Sequence, residues 1–169
     1  MDIVKIRSLI FIQLHSNSNF FFFNFKSTNK MYEYNKLSNQ WTETNTPMNQ
    51  KRSYHECVKI SEDKILVIGG YDGNEYLKST ELYDKRYDNW STGPTMPKTI
   101  GWGQFIKASP GSKFFGYYLG GCGDDGWSSD IYGLSKDLSN FQLIGNLKKE
   151  RSYHVAFRLP ESISDKCGD

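Results

Sequence analysis

Apolar residues in this chain fall in short runs, broken every ten residues or so by Gly, Asp, Asn or Ser. The clearest stretch alternates strand and turn signals. Residues 54–60 predict a strand, Ser61-Glu-Asp63 a polar turn, and Lys64-Ile-Leu-Val-Ile68 a second, apolar strand closed by Gly69-Gly70. The polar stretch 71–75 predicts a loop and 79–83 a third strand. Residues 84–89 predict a turn, and Trp90-Ser-Thr92 opens a fourth strand before Gly93-Pro94 and Pro97 break the pattern. Short strands with this punctuation indicate an all-β fold. No window carries a convincing 3.6-residue apolar period.

The same pieces return. Tyr34, Tyr83 and Tyr132 are spaced by 49 and 49, Trp41, Trp90 and Phe141 by 49 and 51, and Gly70 and Gly121 by 51. Arg-Ser-Tyr-His occurs at 52–55 and 151–154, two periods apart. A fixed period of this length marks a repeat architecture. The second copy is looser, with strands expected over 101–107, 113–119, 129–134 and 140–144 and a longer loop after Gly120-Gly121. A third copy begins at Arg151 and is expected to run as a strand over 155–159. The chain thus divides into 1–28 (unassigned), 29–50 (the last two strands of a copy), 51–97 (a full copy), 98–147 (a looser copy), 148–160 (a first strand) and 161–169 (a disordered tail).

Residues 1–28 admit two readings. They are a degenerate half-copy, since 3–14 and 19–25 are strand-like, or sequence foreign to the fold. The repeat markers vanish together upstream of Asn29, where Phe20-Phe-Phe-Phe-Asn-Phe25 stands in place of a glycine pair, and this favours the second.

Physically, a glycine pair at a strand end adopts positive φ and admits close backbone approach. Tyr83 and Trp90, like Tyr34 and Trp41, are seven apart and can meet across a hairpin. One small sheet cannot cover both its faces, so such sheets must stack on copies of themselves.

Composition adds aromatic richness, with 11 Tyr, 11 Phe and 4 Trp, which suits strands. A net charge of +2 points to neither a nucleic acid nor a membrane surface recognised by bulk charge. Cys57, Cys122 and Cys167 are odd in number and lack metal or redox spacing, so a reducing, cytoplasmic compartment is the default. The apolar run 8–14 is too short to span a membrane and leads to no cleavage-site pattern.

Reactive chemistry is sparse. His55 and His154 share one repeat position, which reads as structural, with no orienting carboxylate at a recognisable spacing. Asp124, Asp125 and Asp130 do not match a calcium loop, and Gly120-Gly-Cys-Gly123 is not followed by the Lys-Ser/Thr of a phosphate loop. No catalytic residue, metal or cofactor is assigned.

The apolar strand ending in Gly69-Gly70, Glu81-Leu-Tyr-Asp84, Trp90 and Met96-Pro97 together resemble kelch repeats, over about 29–160. Phe141 in place of Trp, Ile131-Tyr-Gly133 and 98–101 depart from the pattern. The resemblance implies a partial kelch β-propeller of about two full four-stranded blades plus fragments. A closed propeller needs about four to eight blades. The chain is therefore expected to be a fragment of a longer protein, ahead of a degenerate gene product or a piece that closes only as an oligomer, with open blade edges that invite self-association.

The resemblance also implies a binding face made of two loop sets. One follows the glycine pairs and offers Tyr71, Asn74, Tyr76, Asp124 and Trp127; the other enters each blade and offers Arg52, Tyr54, Arg151 and Tyr153. Gly69, Gly70, Gly120, Gly121, Tyr34, Trp41, Tyr83, Trp90, Tyr132 and Phe141 are the structural repeat. The flavour of 81–84 is similar to BTB-kelch proteins. That likeness implies a non-enzymatic protein-binding module, as the substrate-recognition part of a cullin-type ubiquitin ligase adaptor. The alternatives are an actin-binding kelch protein and, third, a fragment of a kelch-fold oxidase, whose Tyr/His/Cys constellation needs several blades.

Overall fold

The structure, a computed structural model, describes residues 9–15, 18–23, 27–35 and 37–158. All regular elements there are strands, and no helix among the described residues is long and apolar enough to cross a membrane. Three four-stranded antiparallel sheets follow one another in the chain. The first joins β1 (Leu9–His15), β2 (Ser18–Phe23), β3 (Tyr32–Asn35) and β4 (Gln40–Glu43). The second joins β5 (Glu56–Lys59), β6 (Lys64–Ile68), β7 (Thr80–Asp84) and β8 (Asn89–Thr92). In the third, β9 (Gln104–Lys107), β10 (Phe114–Leu119), β13 (Asp130–Ser135) and β14 (Phe141–Asn146) lie in that order. A small hairpin, β11 (Cys122–Gly123) and β12 (Gly126–Trp127), replaces part of the loop expected after the second glycine pair.

This is the all-β architecture of a partial propeller. The first two strands lie in the segment that the sequence left open, and β2 hydrogen-bonds to β3 from Ser18↔Asn35 to Phe21↔Tyr32. Of the strand expected over 155–159, the described residues 155–158 form no ladder with any described strand, and residue 159 lies outside the described residues.

Side-chain alternation along β6 explains the stacking. Ile65 and Val67 enter one core with Met31, Met48, Cys57, Tyr83 and Trp90. Leu66 and Ile68 enter a second core with Met96, Ile100, Phe105, Tyr118, Tyr132 and Phe141. All four β6 side chains are fully buried, each contributing about 2 kcal/mol of apolar transfer. The middle sheet therefore buries both faces, one against each neighbour. Tyr83 meets Trp90 at 5.1 Å across β7 and β8, and Tyr34 meets Trp41 at 4.8 Å across β3 and β4. Trp90 is 9% exposed and donates its indole N–H to the Thr46 carbonyl, whereas Trp41 is 47% exposed.

The glycine pairs clasp successive sheets. Gly69 and Gly70 have φ of 59° and 104°, and Gly120 and Gly121 repeat this at 57° and 108°. Gly70 N–H donates to the Ile100 carbonyl at 2.8 Å, and Gly121 N–H to the Arg151 carbonyl at 2.8 Å. Each acceptor belongs to the segment that enters the next repeat. A Cβ on Gly69 would lie 2.1 Å from the Ile100 oxygen, and one on Gly120 2.5 Å from the Arg151 oxygen.

Candidate functional site at the loop face

Arg-Ser-Tyr-His at 52–55 turns the chain sharply into β5. Tyr54 has φ of 57°, a left-handed conformation that bulky side chains rarely adopt. Trp102 and Tyr153 take the same conformation at 61° and 55°, one at the entry of each successive repeat. Their backbones are linked: Trp102 N–H donates to the Tyr54 carbonyl at 2.9 Å and Tyr153 N–H to the Trp102 carbonyl at 3.1 Å. Their rings form a column, with centroids 3.6 Å apart for both Tyr54–Trp102 and Trp102–Tyr153. Tyr54 and Trp102 are half-buried, and Tyr153 is 68% exposed. A non-glycine residue held at positive φ costs on the order of 1–3 kcal/mol, and such outliers cluster at ligand clamps.

The loops after the glycine pairs border this column. Ser53 and Tyr71 exchange both backbone hydrogen bonds at 2.8 Å, as do Gly101 and Cys122 at 2.7 Å. Tyr71 packs on Tyr76 at 5.3 Å. A Cβ on Gly101 would lie 3.4 Å from the Tyr76 ring, which places Tyr76 beside the residue preceding Trp102. Burial pushes the Tyr76 hydroxyl above its ordinary range, as does neighbouring Cys122. Asp72 closes its loop by accepting the amides of Asn74 and Glu75 at 2.8 and 3.0 Å, which hold its carboxyl below the usual range. Asn74 and Asp124 are exposed, and Trp127, on β12 opposite Cys122, is 65% exposed.

Of the residues assigned to this face, Tyr54, Tyr153, Tyr71 and Tyr76 are brought together, and Asn74, Asp124 and Trp127 lie on the bordering loops. Arg52 is a correction. It is fully buried, and its guanidinium reaches Glu81 Oε1 at 2.9 Å and the carbonyls of Gly69 and Ser79 at 2.8 and 2.9 Å. Every direction of its planar fork meets the protein interior, so it has no surface to offer a partner. Arg151, at the same repeat position, is exposed, and its side chain donates only to the Lys149 carbonyl among the described hydrogen bonds. In the third sheet, Gly101 stands one period after Arg52, and Lys98 instead pairs with Asp130, the counterpart of Glu81, at 2.5 Å.

Trp102 escaped the sequence reading. Its only signal was register: it stands 48 residues after Tyr54 and 51 before Tyr153, an aromatic where the Arg-Ser-Tyr-His start is otherwise lost.

Comparison with known proteins places these observations. The Kelch motif matches residues 52–97. The chain is similar to human Kelch-like protein 34, 28% identical over 113 residues, covering 65% of this chain and 17% of that protein. It is 39% identical over 51 residues to the F-box/kelch-repeat protein SKIP20 of Arabidopsis thaliana, covering 30% and 12% of the two chains. It is 32% identical over 66 residues to the Kelch repeat-containing protein kel-10 of Caenorhabditis elegans, covering 37% and 11%. The chain therefore spans only a minor part of the length of each of these relatives. Stacked four-stranded sheets, glycine pairs clasping the next repeat and the Kelch motif matched over residues 52–97 together show a kelch repeat within a partial β-propeller, in a chain similar to the kelch-like proteins.

Proposed function

We propose that this chain is a non-enzymatic protein-interaction module that captures a partner on the loop face built around Tyr54, Trp102 and Tyr153. One observation carries the reading: three aromatic residues are held in a disfavoured backbone conformation, in register, where they are only partly covered. Strain retained repeat after repeat without full burial favours recognition over packing. Exposed Trp127 and the Tyr71–Tyr76 pair extend the surface. In this reading β1 to β4 form a blade of the same propeller. The likeness to kelch-like and F-box/kelch-repeat proteins supports a role as the substrate-recognition part of a cullin-type ubiquitin ligase adaptor in the cytoplasm.

Affinity enrichment from cell extract tests this by comparing the wild-type chain with Trp127→Ala and Tyr76→Ala. Each substitution is expected to weaken capture of a specific partner by about 1 kcal/mol or more while leaving the unfolding midpoint nearly unchanged. Equal capture by both variants overturns the assignment of this face. Co-enrichment of a cullin scaffold with the same partner tests the finer role.

A further inference from the structure

The loops after the two glycine pairs each carry an Asp-Gly step, Asp72-Gly73 and Asp125-Gly126, and no other occurs in the chain. Such a step is chemically labile, because glycine has no side chain to shield its amide nitrogen or restrict its backbone. That nitrogen attacks the aspartate Cγ. A new C–N bond closes a succinimide ring, and the protonated carboxyl oxygen leaves as water. Water then reopens the ring. When it adds at the main-chain carbonyl carbon, the chain runs through Cγ and is longer by a methylene, an isoaspartyl link. Water is lost and regained, so no co-reactant is consumed.

The two steps differ in what holds the carboxyl. Asp72 accepts the amides of Asn74 and Glu75 at 2.8 and 3.0 Å, and its own amide donates to the Glu75 carbonyl at 3.1 Å. These bonds aim the carboxyl past Gly73 and hold it below its usual range, hence ionised, a state from which oxygen leaves poorly. Asp125 is exposed, and its carboxyl takes part in no hydrogen bond or ion pair among the described residues. A Cβ on Gly126 would meet nothing within 4 Å, so the step is uncrowded. The hairpin around it rests on two residue pairs, Cys122↔Trp127 and Gly123↔Gly126. A ladder this short opens at little cost, which frees the Gly126 amide. The exposure does not come from where the sequence stops. Asn74, which stands 51 residues before Asp125, is exposed too, although its sheet packs on both faces.

We propose that Asp125-Gly126 is a site of spontaneous isomerisation to isoaspartate, whereas Asp72-Gly73, one repeat earlier, is protected by its own loop. The added methylene falls beside Gly126 and breaks the register that sets Trp127 opposite Cys122. If capture uses Trp127, a consequence that rests on the function proposed above, ageing at this site weakens it.

The full chain is aged at neutral pH, either folded or unfolded in guanidinium, and peptide mapping with electron-transfer fragmentation separates isoaspartate from aspartate at 72 and 125. In the folded chain the product is expected to build up about fivefold faster at 125 than at 72, the factor set by the net worth of one retained hydrogen bond. In the unfolded chain the two rates are expected to converge. Gly126→Ala, whose Cβ shields the amide, is expected to suppress the product at 125 and leave 72 unchanged. Equal rates at the two positions in the folded chain overturn the inference, as does isoaspartate that forms at 125 only after unfolding. The readout needs no partner. If isoaspartate accumulates at 125 and the aged chain still captures its partner fully, the modification site stands and the role of Trp127 in capture falls.

Discussion

Arg52 and Arg151 occupy the same repeat position, yet one is sealed inside and the other exposed. What encloses Arg52 comes from later in its own repeat, at Gly69, Ser79 and Glu81. Arg52 has Glu81, two carbonyls and Ser79 Oγ around it, and Glu81 in turn accepts the amides of Asn49 and Gln50 at 2.7 and 3.1 Å. A buried pair of this kind adds little over an apolar replacement, but breaking it strands a charge. Glu81→Ala is expected to lower stability by about 3–5 kcal/mol, read as a shift of the urea midpoint. Adding Arg52→Met to that variant should restore only part of the loss, because the two amides remain without their acceptor. A single-variant loss under about 1 kcal/mol would contradict a dry, paired Arg52. Sequence alone does not show that Arg52 is enclosed, since Glu81 stands 29 residues away in the chain.

At the scale of elements, the glycines divide into those that a neighbouring backbone demands and those that only a turn demands. Gly121, at φ 108°, has the Gly101 carbonyl oxygen 2.6 Å from where its Cβ would sit. Gly126, at φ 95° in the β11–β12 turn, has nothing within 4 Å. Alanine at Gly126 is therefore expected to cost about 1 kcal/mol from backbone strain alone. At Gly121 the strain is joined by a clash with the Gly101 carbonyl and Ile100 in the segment that enters its own sheet, and a clearly larger loss is expected. Thermal unfolding of the two variants side by side checks the order; equal losses would mean that this close approach contributes nothing. This is also where the sequence was most readable. A glycine pair ending an apolar run, and Tyr83 seven residues before Trp90, each have one economical explanation, and both were found as anticipated. Tyr54 and Trp102 were not legible as a column, because a bulky aromatic beside an apolar run reads as strand, and a positive φ leaves no mark on side-chain chemistry. The small β11–β12 hairpin was missed for the related reason that Asp and Gly signal a turn without saying whether its flanks pair.

For the whole molecule, the interleaving of sheets makes stability depend on pH in a definite direction. His55 lies buried at the entry of the second sheet, and burial, aided by the Arg52 charge, pushes its pKa down to about 3. In the unfolded chain it titrates near 6.5. Between these values the unfolded state binds a proton that the folded state does not, so stability rises with pH there and falls as the solution is acidified. The slope is about 1.4 kcal/mol per pH unit for one such group. Carboxylates act in the same direction but lower down. Arg86 holds the Asp84 carboxyl below its ordinary range, and the amides of Glu75 and Asn74 do the same for Asp72, so their contributions begin to disappear only as pH falls through and below about 4. The interval from pH 6.5 to about 4.5 therefore reports on histidine with little interference from those carboxylates, and the His55 variant isolates its share. Urea unfolding across that interval is expected to show a steady fall in stability for the wild-type chain. His55→Gln, which cannot take up a proton there, should flatten the profile even if it lowers stability at pH 7. A wild-type profile that is already flat would mean that His55 gains protons in the folded state, and hence that water reaches the junction between the entry turn and β5.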